Sequence, residues 1–117
     1  MKLTYAVVIE QYPSNYGACG PDVPGCISTA ATPDEMLAMI REALTFHIEA
    51  TIEHGDPIPM PTMSIDDAIA YHCQAVIDHE AEWLAEFGEV PSTLWTWFQT
   101  VEVEIPAPHA ALAAATA

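Results

Sequence analysis

Four of the five histidines occur in two pairs whose members are seven residues apart: His47 with His54, and His72 with His79. On a helix this spacing puts both members of a pair on one face, ~10 Å apart along the axis. A helix that supplies two ligands to one zinc ion places them four residues apart. The spacing therefore predicts ordinary helix histidines without a metal site, and Cys73 beside His72 does not alter that prediction.

The residues that could act as nucleophiles lack the neighbours that would activate them. No serine stands in the glycine-flanked turn of a nucleophile elbow, and Cys26 has no basic residue beside it. Cys19, Cys26 and Cys73 form no CxxC pair, a pattern typical of reduced thiols in a cytosolic protein. A glycine-rich phosphate loop is also missing. The sequence thus predicts a protein that is not an enzyme and holds no cofactor.

Charge is the most unusual property of this chain of 117 residues. Seventeen acidic residues stand against Lys2 and Arg41, for a net charge of −15. Such a surface repels nucleic acids and anionic membranes, and it steers a basic protein in at long range. No segment reaches the ~20 apolar residues of a membrane helix, and no signal peptide is visible. We expect a cytoplasmic protein with a basic protein partner. The alternative is that the acidity serves solubility alone, for example in a saline habitat.

The pattern of apolar residues predicts an α+β fold. Residues 3–10 alternate between two faces as a strand does, and short strands at 16–19 and 26–30 are joined to it by turn-forming residues. A helix begins after Thr32, with Pro33 at its first position and Glu35 completing a capping box. Apolar residues recur along this helix at helical spacing and form a stripe on one face. Gly55 marks the end of the helix. The apolar positions of this helix are Met36, Ile40, Ala43, Leu44, Ile48 and Ile52.

A second helix is predicted from Ser64 to Gly88, and a closing strand from Trp95 to Ile105. The segment from Ser64 to Thr100 carries seven acidic residues and no basic one, which makes it the best candidate for receiving a basic partner. Trp95 and Trp97 either fill the core or anchor an interface. The predicted partner-binding residues are Asp66, Asp67, Asp78, Glu82, Glu86, Glu89, Trp95 and Trp97.

Several of these segments together resemble the HicB-type antitoxins. The strand "TYAVVIEQ", the loop "PDVPGC" at residues 21–26, the helix exit "HGDPIP" at 54–59 and the closing "VEVEIP" carry the resemblance. It implies a partial ribonuclease-H-like fold, in which helices pack on a small antiparallel sheet and the last strand lies beside the first. It also implies a type II antitoxin that forms a homodimer or higher homo-oligomer and neutralises a small basic HicA-like toxin that cleaves mRNA. The competing hypothesis is an orphan homo-oligomeric scaffold protein.

The chain departs from the compact family pattern in two places. Residues 62–92 are predicted to be a helical insertion in a single domain of residues 1–106, and residues 107–117 form an alanine-rich tail in place of a DNA-binding module. We therefore expect no direct contact with nucleic acid. Ribonuclease-H chemistry needs converging carboxylates on metal ions, whereas the first strand offers only Glu10. We therefore expect the fold to lack the ribonuclease-H active site.

Overall fold

A computed structural model describes residues 1–89 and 93–105. Within these residues the chain forms four strands and two helices in the order βββααβ. The elements are β1 (Lys2–Gln11), β2 (Tyr16–Cys19), β3 (Ile27–Ala30), α1 (Pro33–Glu53), α2 (Ile65–Phe87) and β4 (Trp95–Glu104). The predicted α+β class and the order of the elements are confirmed, with boundaries within two residues of those expected.

The four strands form one antiparallel sheet in the order β3-β2-β1-β4. β1 lies in the interior of the sheet, where it pairs with β4 along its whole length and with β2 at its C-terminal end. Its side chains alternate between the two faces, and both faces are covered, since Tyr5 and Val7 are buried on one side and Ala6 and Val8 on the other. The two faces of β1 are buried because one helix lies on each side of the sheet.

Helix α1 covers the first face. Thr32 accepts a hydrogen bond from the backbone nitrogen of Glu35 at 3.2 Å, as the capping signal predicts. Four apolar residues of α1 have no solvent exposure: Met36, Ile40, Leu44 and Ile48. They pack into a single core with alternate residues of β1 and β4. The helix ends at Glu53, and Gly55 follows with a positive φ of 74° that favours glycine.

The two most specific motifs of the sequence meet beside this core. The "PDVPGC" loop contributes Asp22, whose carboxylate accepts hydrogen bonds from the backbone nitrogens of Thr62 and Met63 and from the Thr62 hydroxyl, at 2.7–3.1 Å. The helix exit contributes Pro59, whose carbonyl accepts a 2.6 Å hydrogen bond from the Tyr5 hydroxyl. Burial raises the pKa of Tyr5 to about 12. The two motifs therefore fix the path of the chain from α1 to α2.

Helix α2 covers the second face only in part. Ser64 and Asp67 form a complete capping box, and Gly88 ends the helix with a positive φ of 76°, so the predicted limits are confirmed. Ala68 is the only buried residue of its 23. His72 reaches the sheet, where its ring meets the ring of Phe98 edge-on at 5.7 Å. Most of the large apolar side chains of α2 are exposed, so this sheet does not cover them.

The predicted domain boundaries remain predictions. The fold itself does not test the description of residues 62–92 as an insertion. Residues 90–92, at the end of that segment, and the tail at 107–117 lie outside the described residues. Of the helices in the described part of the chain, none combines the length and the apolar composition that crossing a membrane requires.

Candidate functional site

The two predicted tryptophans lie on β4, on the side of the sheet that α1 covers. Alternation along the strand puts Trp95 and Trp97 on the same face as the buried Val101 and Val103. Trp97 is half-buried and packs against the core; its ring stands edge-on to that of Tyr16, with centroids 6.1 Å apart. Trp95 is 65% exposed. Trp97 therefore contributes to packing, and Trp95 is accessible to a partner.

The six predicted acidic residues lie on the opposite side of the sheet, along α2 and just after it. All six are exposed: Asp66, Asp67, Asp78, Glu82, Glu86 and Glu89. Asp67 accepts a hydrogen bond from the Ser64 backbone as part of the cap. Asp78 accepts one from Gln74 at 2.9 Å, and Glu82 lies 3.4 Å from His79. The structure thus divides the predicted site between two surfaces on opposite sides of the sheet. A single short segment of a partner cannot contact both surfaces at once.

A groove that the sequence did not predict lies between α2 and the sheet. Its volume is about 550 Å³, in the range of ligand pockets. Val8 and Cys19 contribute from the sheet, the loop of residues 20–27 contributes one wall, and α2 contributes the other wall through side chains that include Val76 and Trp83. His72 and His79 both line it, so their seven-residue spacing does place them on one face. This spacing was the only sequence signal of the groove.

Glu10 organises one end of the groove. Its carboxylate lies 4.0 Å from Nδ1 of His72 and accepts a 3.1 Å hydrogen bond from the Thr93 hydroxyl, which links β1 to α2 and to the start of β4. Burial raises the pKa of the Cys19 thiol to about 11, and the negative charge of Glu10 acts in the same direction. Cys19 is therefore protonated at neutral pH and is a poor nucleophile.

The carboxylates of the sheet do not converge. Glu10 is paired in register with Thr96, whereas Glu102 lies six residues further along β4, ~20 Å away at the rise of a strand. In residues 1–89 and 93–105, no three His, Cys, Asp or Glu side chains come together as a metal site would require. Glu10 and Glu102 are therefore too far apart to share an ion.

Helix α2 also carries a set of exposed apolar side chains that begins at the edge of the groove and is here called the α2 stripe. It consists of Ile69, Val76, Ile77, Trp83, Leu84 and Phe87. Their exposures range from 38% at Ile69 to 64% at Ile77. The rings of Trp83 and Phe87 lie against each other, with centroids 4.7 Å apart. Exposed apolar surface of this kind on a small protein usually marks an interaction site.

Comparison with known proteins gives a consistent result. The model of the "HicB_like antitoxin of bacterial toxin-antitoxin system" family matches residues 5–72, more than half of the chain. A 14.9 kDa protein encoded between rep and hol in Haemophilus phage HP1 is 37% identical over 57 residues, which cover 49% of this chain. The match spans only 43% of that phage protein.

Solved structures share the fold. A chain of a toxin–antitoxin complex from Streptococcus pneumoniae superposes with a TM-score of 0.66 at 20% identity, over 89% of this chain and 70% of that one. A chain of the HicA3 and HicB3 toxin–antitoxin complex superposes with a TM-score of 0.56 at 23% identity, over 88% of this chain and all of that one. The four-stranded sheet with its two helices is therefore an architecture found in such complexes.

Proposed function

Because this chain belongs to the HicB-like antitoxin family of bacterial toxin–antitoxin systems, we propose that it binds and neutralises a small basic HicA-like toxin that cleaves mRNA. The observation that carries the proposal is the net charge of −15 in a member of this family. A protein that cleaves RNA must bind phosphates, and it does so with Lys and Arg. Carboxylates of the antitoxin substitute for those phosphates and exclude the RNA.

The distribution of the charge supports α2 as the binding element. Six carboxylates lie on this helix, and no Lys or Arg follows Arg41 in the sequence. Both cations of the chain contact Glu102, Lys2 through an ion pair of 3.7 Å and Arg41 through a 3.1 Å hydrogen bond to the backbone carbonyl. The acidic residues of α2 are therefore available to cations of another protein.

The proposal has three further parts. The protein acts without catalysis, as the separated carboxylates of the sheet suggest. It works in the cytoplasm, where the toxin meets mRNA, and its charge keeps it from binding nucleic acid by itself. It forms a homodimer or higher homo-oligomer.

A mobility-shift assay with promoter DNA tests whether the chain binds nucleic acid by itself. At physiological salt it should show no band shift at micromolar protein. A sequence-specific shift by this chain would contradict the charge argument.

The central test requires the toxin itself, which we expect to be a small basic protein encoded by a neighbouring gene. Its expression should arrest growth, and co-expression of this chain should restore growth. In surface-plasmon kinetics, the triple change Asp78→Asn, Glu82→Gln and Glu86→Gln should slow association and flatten its dependence on ionic strength, with less effect on dissociation. Exposed charges act mainly on the rate of encounter, because each single pair is weak.

A matched control removes the same charge from the other helix, through three exposed carboxylates of α1: Glu42→Gln, Glu49→Gln and Glu53→Gln. This variant should retain most of the association rate and its salt dependence, since α1 lies on the opposite side of the sheet. If the unmodified chain associates at a rate that does not depend on salt, electrostatic steering is excluded.

A further inference from the structure

The α2 stripe is a candidate binding surface for another protein, because six large apolar side chains of one helix are exposed to solvent. Helix α1 is covered along its corresponding stripe, whereas α2 contacts the sheet mainly through Ala68 and His72. The stripe also borders the groove, since Val76 and Trp83 belong to both. The two features form one surface, with a ridge of apolar side chains beside a depression of about 550 Å³.

One acidic residue lies inside this apolar surface. Glu80 follows Val76 by four residues and Ile77 by three, and it precedes Trp83 by three and Leu84 by four. Residues at these spacings are neighbours on a helix surface, so the Glu80 carboxylate is surrounded by apolar side chains of the stripe. It also lines the groove. Any protein that covers the stripe must bury Glu80, which is unfavourable unless a cation pairs with the carboxylate.

This carboxylate distinguishes between the possible occupants. A second copy of the chain would bring a second acidic helix, with six carboxylates of its own and no Lys or Arg after Arg41. Antiparallel pairing of two α2 helices would bury two Glu80 carboxylates without a counter-ion. A basic protein supplies what is missing, since one Lys or Arg side chain can pair with Glu80 and lie over the ring of Trp83 three residues away.

We propose that the α2 stripe is the surface on which the toxin seats an amphipathic segment whose apolar side chains cover Val76, Ile77 and Leu84 and whose Lys or Arg pairs with Glu80. This inference rests on the proposed antitoxin function and adds the surface and its chemistry. Apolar contacts at the stripe hold the complex, and the surrounding carboxylates accelerate its formation. Trp95, which lies on the other side of the sheet, is not part of this contact.

The experiment uses a fluorescein-labelled peptide of leucine and lysine, of about 18 residues or five helical turns, which carries one apolar and one cationic face. Anisotropy should detect binding to the unmodified chain, and a peptide with Glu in place of Lys should not bind. The double change Ile77→Ser and Leu84→Ser should weaken binding at least ~tenfold, as expected for interface anchors. Glu80→Gln should weaken binding less and reduce its salt dependence.

The control variant is Phe46→Ser, which removes a side chain of α1 that is 69% exposed on the other side of the sheet. It should bind the peptide as the unmodified chain does. All variants alter exposed residues, and unchanged melting midpoints verify their folding. If the double variant binds the peptide as tightly as the unmodified chain does, the inference is wrong.

Sedimentation velocity tests for a second copy at the stripe. Self-association that strengthens with salt and disappears in the double variant would assign the stripe to a second copy, and that result overturns the proposal. The growth assay separates the two proposals. If the double variant neutralises the toxin as well as the unmodified chain does, the inference fails and the antitoxin function stands. If the stripe binds the cationic peptide but no neighbouring toxin is neutralised, the antitoxin function fails and the stripe remains a site for basic segments.

Discussion

Helices α1 and α2 share two local sequence features, yet the structure uses them differently. Each begins with a hydroxyl cap, α1 at Thr32 and α2 at Ser64, and each carries an apolar stripe at helical spacing. Four residues of α1 are completely buried, whereas only Ala68 is buried on α2. The comparison teaches that an amphipathic pattern specifies which side of a helix is apolar but does not specify what covers it. In this protein one stripe stabilises the fold, and the other remains for a partner.

Truncation of one leucine on each helix should give the largest difference between the two regions. Leu44→Ala should lower the free energy of unfolding by about 2–5 kcal/mol, because a fully buried side chain leaves a cavity. The matched change Leu84→Ala should cost about 0.5 kcal/mol or less, since this side chain is 49% exposed. Urea denaturation of both variants measures the difference. Equal losses of stability would show that α2 is packed against the body in solution.

The junction that carries the chain from α1 to α2 should give a smaller effect. Asp22→Ala removes three hydrogen bonds to Thr62 and Met63 and should cost about 1–3 kcal/mol, because two backbone nitrogens lose their acceptor. Asp56→Ala provides the control, since Asp56 is an exposed residue just after α1. Thermal melting reports the cost, and hydrogen exchange shows whether α2 loses protection first. A loss no larger than that of the control would mean that the Asp22 contacts do not hold this junction.

The two helix caps should give the smallest effect and the most direct comparison. Thr32→Ala and Ser64→Ala each remove one side-chain acceptor from a helix N-terminus, with a typical cost of ~1 kcal/mol. The cost at Thr32 should appear in the global unfolding free energy, because α1 is part of the core. The change at Ser64 should mainly increase local opening of α2, since that helix buries one residue. Hydrogen exchange distinguishes global from local opening, and identical patterns for the two variants would contradict this division.

Most of the fold was predictable from local signals. The capping residues, the glycines after each helix, the turn-forming residues around the two short strands and the alternation along residues 3–10 and 95–105 located all six elements to within two residues. These signals depend on interactions between residues that are close in the chain, so the sequence displays them directly. The family resemblance added the placement of β4 beside β1, which connects residues almost a hundred positions apart.

The candidate site was less predictable, as its two halves illustrate. The sequence identified Trp95, Trp97 and the acidic residues of α2 as one set, but the strand alternation places the tryptophans on the opposite side of the sheet from α2. The groove next to Glu10 was not predicted, because it is built by β1, the loop at residues 20–27 and α2 together. No local pattern reports that three such segments enclose a common space.

The sequence by itself determined the charge of −15, the limits of the helices and strands, and the apolar stripe on each helix. All of these follow from composition or from interactions within a few turns of the chain. Only the tertiary structure decided that α1 is covered and α2 is largely exposed, and that Glu80 lies on a surface shared by the stripe and the groove. Burial depends on which distant segments pack against a residue, and hydrophobic attraction has no direction of its own. The chain therefore specifies an apolar stripe on each helix. The sheet covers the stripe of α1, whereas α2 meets the other face through Ala68 and His72 and leaves its own stripe exposed.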